Sequence, residues 1–373
     1  GGKNSAWDYG GRGDITVNAD SQKLGWWPGG FANLEIEGNF SSSVNRNTGA
    51  LMPVNTSQLF PEPGSDNFNV SALNFAQFLS HYFGVTVGKY ATITPTSGDM
   101  NEFAHGKGDT QFMNAAFNFN PAILVTVPYS TLGAGAILLP TADPKQAIVT
   151  FFVLQTNGSS ETSGFNDLDA NKLTFAGEGR VKTDFFGLTG HQLAGATYSN
   201  KTFTSLDQSL RFIIENRAIE QKDRSWSVYY NFDQYFYEPN KGSGQGVGVF
   251  GRFGTSDGNP NPIHYYYSLG VGGKGIFPGR PIDRFGLGYY YVKVSNINLQ
   301  GVLLDPRLLD ATFLRNEYGF EAFYDIALTP WMQLTPDIQV IRPAQKNVIT
   351  IIPPSRQSID TATVVGVRLQ MQF

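Results

Sequence analysis

The chain has 373 residues, a formal charge of −4 and no cysteine, which excludes disulfide scaffolds, cysteine-ligated zinc or iron–sulfur sites and thiol catalysis. A slight acidity with no basic block removes the attraction on which nucleic-acid binding depends. Only 16% of residues are charged, against about 25% in an ordinary soluble domain, while 29 Phe, 17 Tyr and 42 Gly are present and no run of about 18 apolar residues marks a transmembrane helix.

The chain is therefore either soluble or crosses lipid as strands. Gly1 opens neither a charged n-region nor an apolar stretch, so a mature or trimmed chain is expected. Near the start, Ile15 and Val17 oppose Asp14, Thr16 and Asn18, and then Leu34, Ile36 and Phe40 oppose Glu35, Glu37 and Asn39. Around 172–183 the parity of Leu173, Phe175, Gly177, Gly179 and Val181 opposes that of Thr174, Glu178, Arg180 and Lys182. Trp226, Val228, Tyr230 and Phe232 then oppose Ser227, Tyr229, Asn231 and Asp233.

Farther on, Glu317, Glu321 and Asp325 alternate with Tyr318, Phe320, Ala322 and Tyr324. A dry sandwich core would leave these carboxylates buried at high cost, whereas a water-filled lumen would not. At the end Val365, Val367, Leu369, Met371 and Phe373 share one parity, and Gly366, Arg368, Gln370 and Gln372 the other. Strands with one lipid face and one wet face read this way. An aromatic last residue on the lipid parity is expected to matter for membrane assembly.

The connections form a second pattern. Brief turns at 24–30, 80–82, 141–146, 184–190, 239–244, 278–282 and 329–331 alternate with longer polar loops at 41–71, 91–110, 157–171, 207–223, 257–262, 296–315 and 344–360. That is the rhythm of an outer-membrane barrel with short periplasmic turns and long external loops. With 111–139 read as one crossing with an irregular entry, the scheme predicts about fifteen strands. Because bacterial barrels have even counts, it predicts about sixteen, the first lying upstream of Gly1. The fold class expected is all-β: one transmembrane antiparallel β-barrel domain over 1–373.

Motifs of other chemistry fall away. Gly270 to Gly275 fits GxGxxG, but its flanks read as strand and no helix follows. Arg12-Gly13-Asp14 opens an alternating strand and is not a loop tip. His81 and His191 fall in or beside predicted periplasmic turns and only His105 and His264 near the external side, so no triad assembles. No metal-ligand spacing is present, and neither a metal, a cofactor nor an enzymatic activity is expected.

The residues resemble the carbohydrate-selective porins of the OprB type. The likeness covers nearly the whole chain and rests on the order of Gly88-Lys89, Gln111-Phe112-Met113-Asn114, Pro128 to Gly133, Phe185 to Leu188 with Gly190-His191-Gln192, and Tyr230 to Tyr235. It continues through Gly251 to Gly254, Gly272 to Gly275, Pro278-Gly279-Arg280, Asp283, Glu317, Glu321, Tyr324, Pro330, Pro336-Asp337 and Pro343.

The resemblance implies a trimeric or monomeric sixteen-stranded channel of a Gram-negative-type outer membrane. Through it monosaccharides such as glucose, and similar small solutes, would diffuse passively. It also implies a constriction built from an inward-folded loop and a mainly basic wall. Residues 91–110 are the natural loop, although Asp99, Glu102 and Asp109 stand beside His105 and Lys107.

A pyranose presents rim hydroxyls and C–H faces, so a selective wall needs planar donors and acceptors together with aromatic faces. By parity the lumen set is Arg12, Glu35, Glu37, Glu178, Arg180, Lys182, Asp233, Arg252, Arg284, Glu317, Glu321, Asp337 and Arg368. Arg180, Lys182 and Arg252 are the leading choices for a positive wall. Two rivals are a general or anion-preferring porin with no sugar site, and a non-conducting surface barrel.

Overall fold

The computed structural model describes residues 1–59, 68–93, 101–109, 111–209, 218–295, 299–300, 314–350 and 355–373. Fifteen strands form one sheet in which each pairs antiparallel with its neighbours in sequence. They are β1 (Gly10–Asp20), β2 (Gly30–Ser41), β3 (Phe68–Phe78), β4 (Phe83–Ala91) and β5 (Ser130–Leu138). Next come β6 (Ala147–Gln155), β7 (Leu173–Phe185), β8 (Leu188–Thr204), β9 (Gln221–Tyr237) and β10 (Gly246–Ser256). The last five are β11 (Ile263–Lys274), β12 (Arg284–Val294), β13 (Glu317–Thr329), β14 (Met332–Arg342) and β15 (Ala362–Met371). The expected fifteen strands within the chain are present, with β1 and β15 at the ends of the order.

Period-2 patterning decides which side chains face outward. On β15, Val365, Val367, Leu369 and Met371 are exposed, Val365 at 74%, while the intervening residues turn inward. Neighbouring strands share this parity through their register, as in Val365 opposite Ile338 and Gly366 opposite Asp337. A lipid-facing surface needs side chains of this kind, and the antiparallel ladder satisfies the backbone groups that hydrocarbon cannot. Aromatic rings gather at the ends of the strands and form stacked pairs, Trp26 with Trp27 and Trp331 with Phe373, as expected of interfacial girdles.

Two sequence expectations are sharpened or corrected here. Of residues 111–139, expected as one crossing with an irregular entry, Ser130–Leu138 is the part that spans the wall. Residues 111–129 instead contain a helical turn at Ala115–Asn118 and a 3-10 turn at Pro121–Ile123. Asn114 and Asn120 cap them by accepting from the Ala116 and Ala122 amides at 2.9 and 3.1 Å. The apolar residues that suggested a strand pack inside the barrel, where Phe112 lies 4.5 Å from Phe117, 4.8 Å from Phe323 and 5.4 Å from Phe250 between ring centroids. The second correction concerns His191, which lies within β8 and not in a turn.

The sheet curls around this inner segment. Lys107 reaches Glu35 and Glu37 on β2, while Ala104 meets Arg252 on β10 and Gly108 meets Arg368 on β15. Thr126 bonds Thr197 on β8 at 2.7 Å and accepts from Thr174 on β7 at 2.5 Å. One loop touching strands so far apart in the sheet order requires them to surround it.

Candidate functional site

The inward parity of the wall divides into a half covered by the inner segment and a half open to water. On the covered half, polar side chains hold loop backbone. Arg252 is fully buried and donates to the Phe117 carbonyl oxygen at 2.8 Å and to that of Ala104. Glu321 accepts from the Met113 and Asn114 amides at 2.5 and 2.9 Å. Arg368 donates to the Gly108 and Gln111 carbonyls at 2.6 and 3.1 Å. Glu317 accepts from the Leu51, Met52 and Ala344 amides and the Tyr290 hydroxyl at 2.5 to 3.0 Å, tying two other loops to β13.

These contacts correct the reading of Arg252, Glu317, Glu321 and Arg368 as groups that meet solute. They do face inward, but they are consumed by loop amides and carbonyls that would otherwise be buried without partners. The same holds for Glu35 and Glu37, which are buried around Lys107. Glu37 also binds Arg12 and accepts from the Tyr129 hydroxyl at 2.5 Å, and Arg12 pairs with Asp14 at 2.7 Å. Asp233 is buried too, accepting from the Glu102 amide at 3.0 Å and lying 2.7 Å from His191 Nδ1. Asp337 accepts from Gln339 at 3.0 Å and is likewise buried.

Within the proposed constriction loop, Glu102 accepts from the Tyr235 hydroxyl at 3.1 Å, and the His105 amide donates to Gln111 at 2.8 Å. Asp109 accepts from the Lys107 amide at 3.2 Å. Asp99 lies outside the described residues. Arg284 lines a crevice between loop and wall with Glu102, His105, Gln111, Tyr235 and Lys274.

The open half is the short-turn end of β2 to β7, beyond the contacts of the inner segment with Glu35 and Glu37 on β2 and with Thr174 on β7. Asn33 accepts from Asn74 at 3.5 Å and donates to Asn18 at 2.9 Å, a polar row across β1 to β3. On β7, Glu178, Arg180 and Lys182 share the inward parity and are half-exposed, and register sets them opposite Gly195, Leu193 and His191 of β8. They are the sequence-derived wall charges that the inner segment leaves facing water. The half-exposed rings of Tyr90 and Phe152, which parity arguments about charge passed over, face the same space. The buried turns at 114–123 were also missed, although Asn120-Pro121, a cap followed by Pro at the first helical position, carries a start signal.

A family model described as "Carbohydrate-selective porin, OprB family" matches residues 4–373. The chain belongs to that family. A curated relative, Porin B of Pseudomonas aeruginosa, is 27% identical over 143 residues, which is 36% of this chain and 30% of that one. Among solved structures, the high-pH structure of Pseudomonas putida OprB covers 98% of this chain and 88% of its own, with a TM-score of 0.77 and 19% identity. The low-pH structure of the same protein covers 97% and 86%, with a TM-score of 0.51 and 15% identity. This OprB-family chain thus has the fold of an outer-membrane porin barrel, with its short turns at the periplasmic end and long loops outside.

Proposed function

We propose that the chain works as a water-filled channel through which carbohydrates, in the size range of monosaccharides, diffuse down their gradient across the outer membrane. The observation that carries this reading is the open wall. Beside an inner segment pinned to β2, β10, β13 and β15, the half-exposed Glu178, Arg180 and Lys182 leave a carboxylate, a guanidinium and an ammonium facing water on one strand. Planar donors and acceptors exchange hydrogen bonds with sugar hydroxyls, and weak exchange keeps passage fast. The constriction in this proposal is formed by residues 101–109 and 111–129, more than the 91–110 expected from sequence.

The test is liposome swelling with the purified protein, comparing monosaccharides with size-matched polyols and amino acids, together with a reversal potential in a salt gradient. Faster swelling with sugars is the expected result. Rates that follow size alone would favour a general porin. The excess of cations on the inward face of β7 favours anion preference as a second reading, and the reversal potential measures it. Assembly as a homotrimer belongs to the same proposal and is read by cross-linking in native membranes.

A further inference from the structure

Phe152 of β6 has inward parity, as its register with Ala176 of β7 and Gly135 of β5 requires. Gly135 is what sets the attitude of the ring. A Cβ there would stand 2.6 Å from Phe152 Cδ1, too close for any side chain, so the ring lies across the β5 backbone instead of standing off the wall. Tyr90 of β4 meets it edge-on, with centroids 5.2 Å apart and planes at 73°. Both rings pack on the buried cluster formed by Ile123 and Val127 of the inner segment and Leu154, Leu193 and Tyr229 of the wall, which holds them in place. Each residue is only partly buried.

Below the rings toward the periplasm, β7 carries Glu178, Arg180 and Lys182 at alternate positions, a step of about 6.7 Å. The Tyr229 hydroxyl donates to Glu178 Oε2 at 2.8 Å and holds that carboxylate against the wall. Arg180 follows at the next inward position and is half-exposed. An aromatic surface is thus followed, two residues at a time, by a fixed carboxylate and a half-exposed guanidinium.

We propose that Phe152, flanked by Tyr90, is a stacking platform for the C–H face of a pyranose ring, with Glu178 and Arg180 receiving its hydroxyls. The inference rests on the carbohydrate-channel reading and adds the residues that make it selective. An acyclic polyol of equal size offers the same hydroxyls but no rigid apolar face, so it gains from the polar groups and not from the ring. Stacking of this kind is individually weak, which suits a site that a sugar must leave as readily as it enters.

The experiment titrates the ion current of single channels in planar bilayers with D-glucose and, separately, with D-sorbitol, for the intact protein, Phe152→Leu and Phe152→Trp. The platform predicts that Phe152→Leu raises the half-saturating glucose concentration about two- to tenfold, the contribution of one aromatic face. The response to sorbitol should be unchanged, and Phe152→Trp should retain glucose sensitivity. Unchanged glucose sensitivity in Phe152→Leu, with glucose still preferred over sorbitol, would overturn the platform and leave the channel reading standing. Equal response of the intact protein to glucose and sorbitol would overturn the carbohydrate reading and this inference with it.

Discussion

Replacing Arg252 by Met tests whether this guanidinium holds the inner segment or meets solute. Its bonds to the Phe117 and Ala104 carbonyls are made by a fully buried side chain. Hydrogen bonds to a charged group contribute about 1.5–3 kcal/mol each, so the two together are worth about 3–6 kcal/mol of docking. Met is of similar length but donates nothing, and both carbonyls would stay buried without this partner. Even the lower figure changes the ratio of docked to undocked segment by about a hundredfold. The Glu321 and Arg368 bonds still tether the segment, so the expected phenotype is loosening: higher and noisier single-channel conductance, and uptake of larger oligosaccharides by liposomes. Conductance and size limit equal to the unaltered protein, with reduced sugar flux alone, would refute the anchoring argument and return Arg252 to the solute-facing wall.

Other outcomes follow from the same geometry. Arg180→Ala combined with Lys182→Ala should shift the reversal potential toward cations, more at low than at high salt because these groups face water, without changing barrel stability. Gly288→Val should push Phe117 from its seat, since even a Cβ there would stand 2.5 Å from Phe117 Cε1. Overpacking costs about 1–3 kcal/mol, so conductance noise should increase as it does for Arg252→Met. Val367→Arg places a cation on the lipid face at an exposed position. It should destabilise the folded barrel by about 2–4 kcal/mol if it lies near the bilayer midplane, measured by urea titration in vesicles.

The turn before β12 has its own acid dependence. Burial would raise the Asp283 carboxyl, but hydrogen bonds from Arg280 at 2.8 Å and from the Ala327 amide and Tyr324 hydroxyl at 3.0 Å outweigh it and hold the group below its usual range. A depressed pKa stabilises the folded state above the ordinary carboxylate value, and that contribution disappears as pH falls through the folded one. Asp283→Asn should therefore abolish the corresponding loss of stability on acidification. An identical acid profile in the variant would remove Asp283 from the account.

The local sequence determined the wall of this protein. Alternation of Val365, Val367, Leu369 and Met371 with Gly366, Arg368 and Gln370 fixes which side chains meet lipid, because successive residues of a strand point to opposite faces. The same rule turned Glu178, Arg252 and Glu321 inward alike. What it could not separate is an inward group facing water from one facing a folded-in loop, since parity is a property of one strand and the loop comes from elsewhere in the chain. Glu321 accepts from an amide 208 residues away, and Arg252 donates to a carbonyl 135 residues away. Glu178 accepts from the Tyr229 hydroxyl of the wall, and it and Arg180 stay half-exposed. Only the tertiary structure decided this, because burying backbone groups of Ala104, Gly108, Met113, Asn114 and Phe117 inside a barrel required partners, and the nearest inward charges of β10, β13 and β15 supplied them.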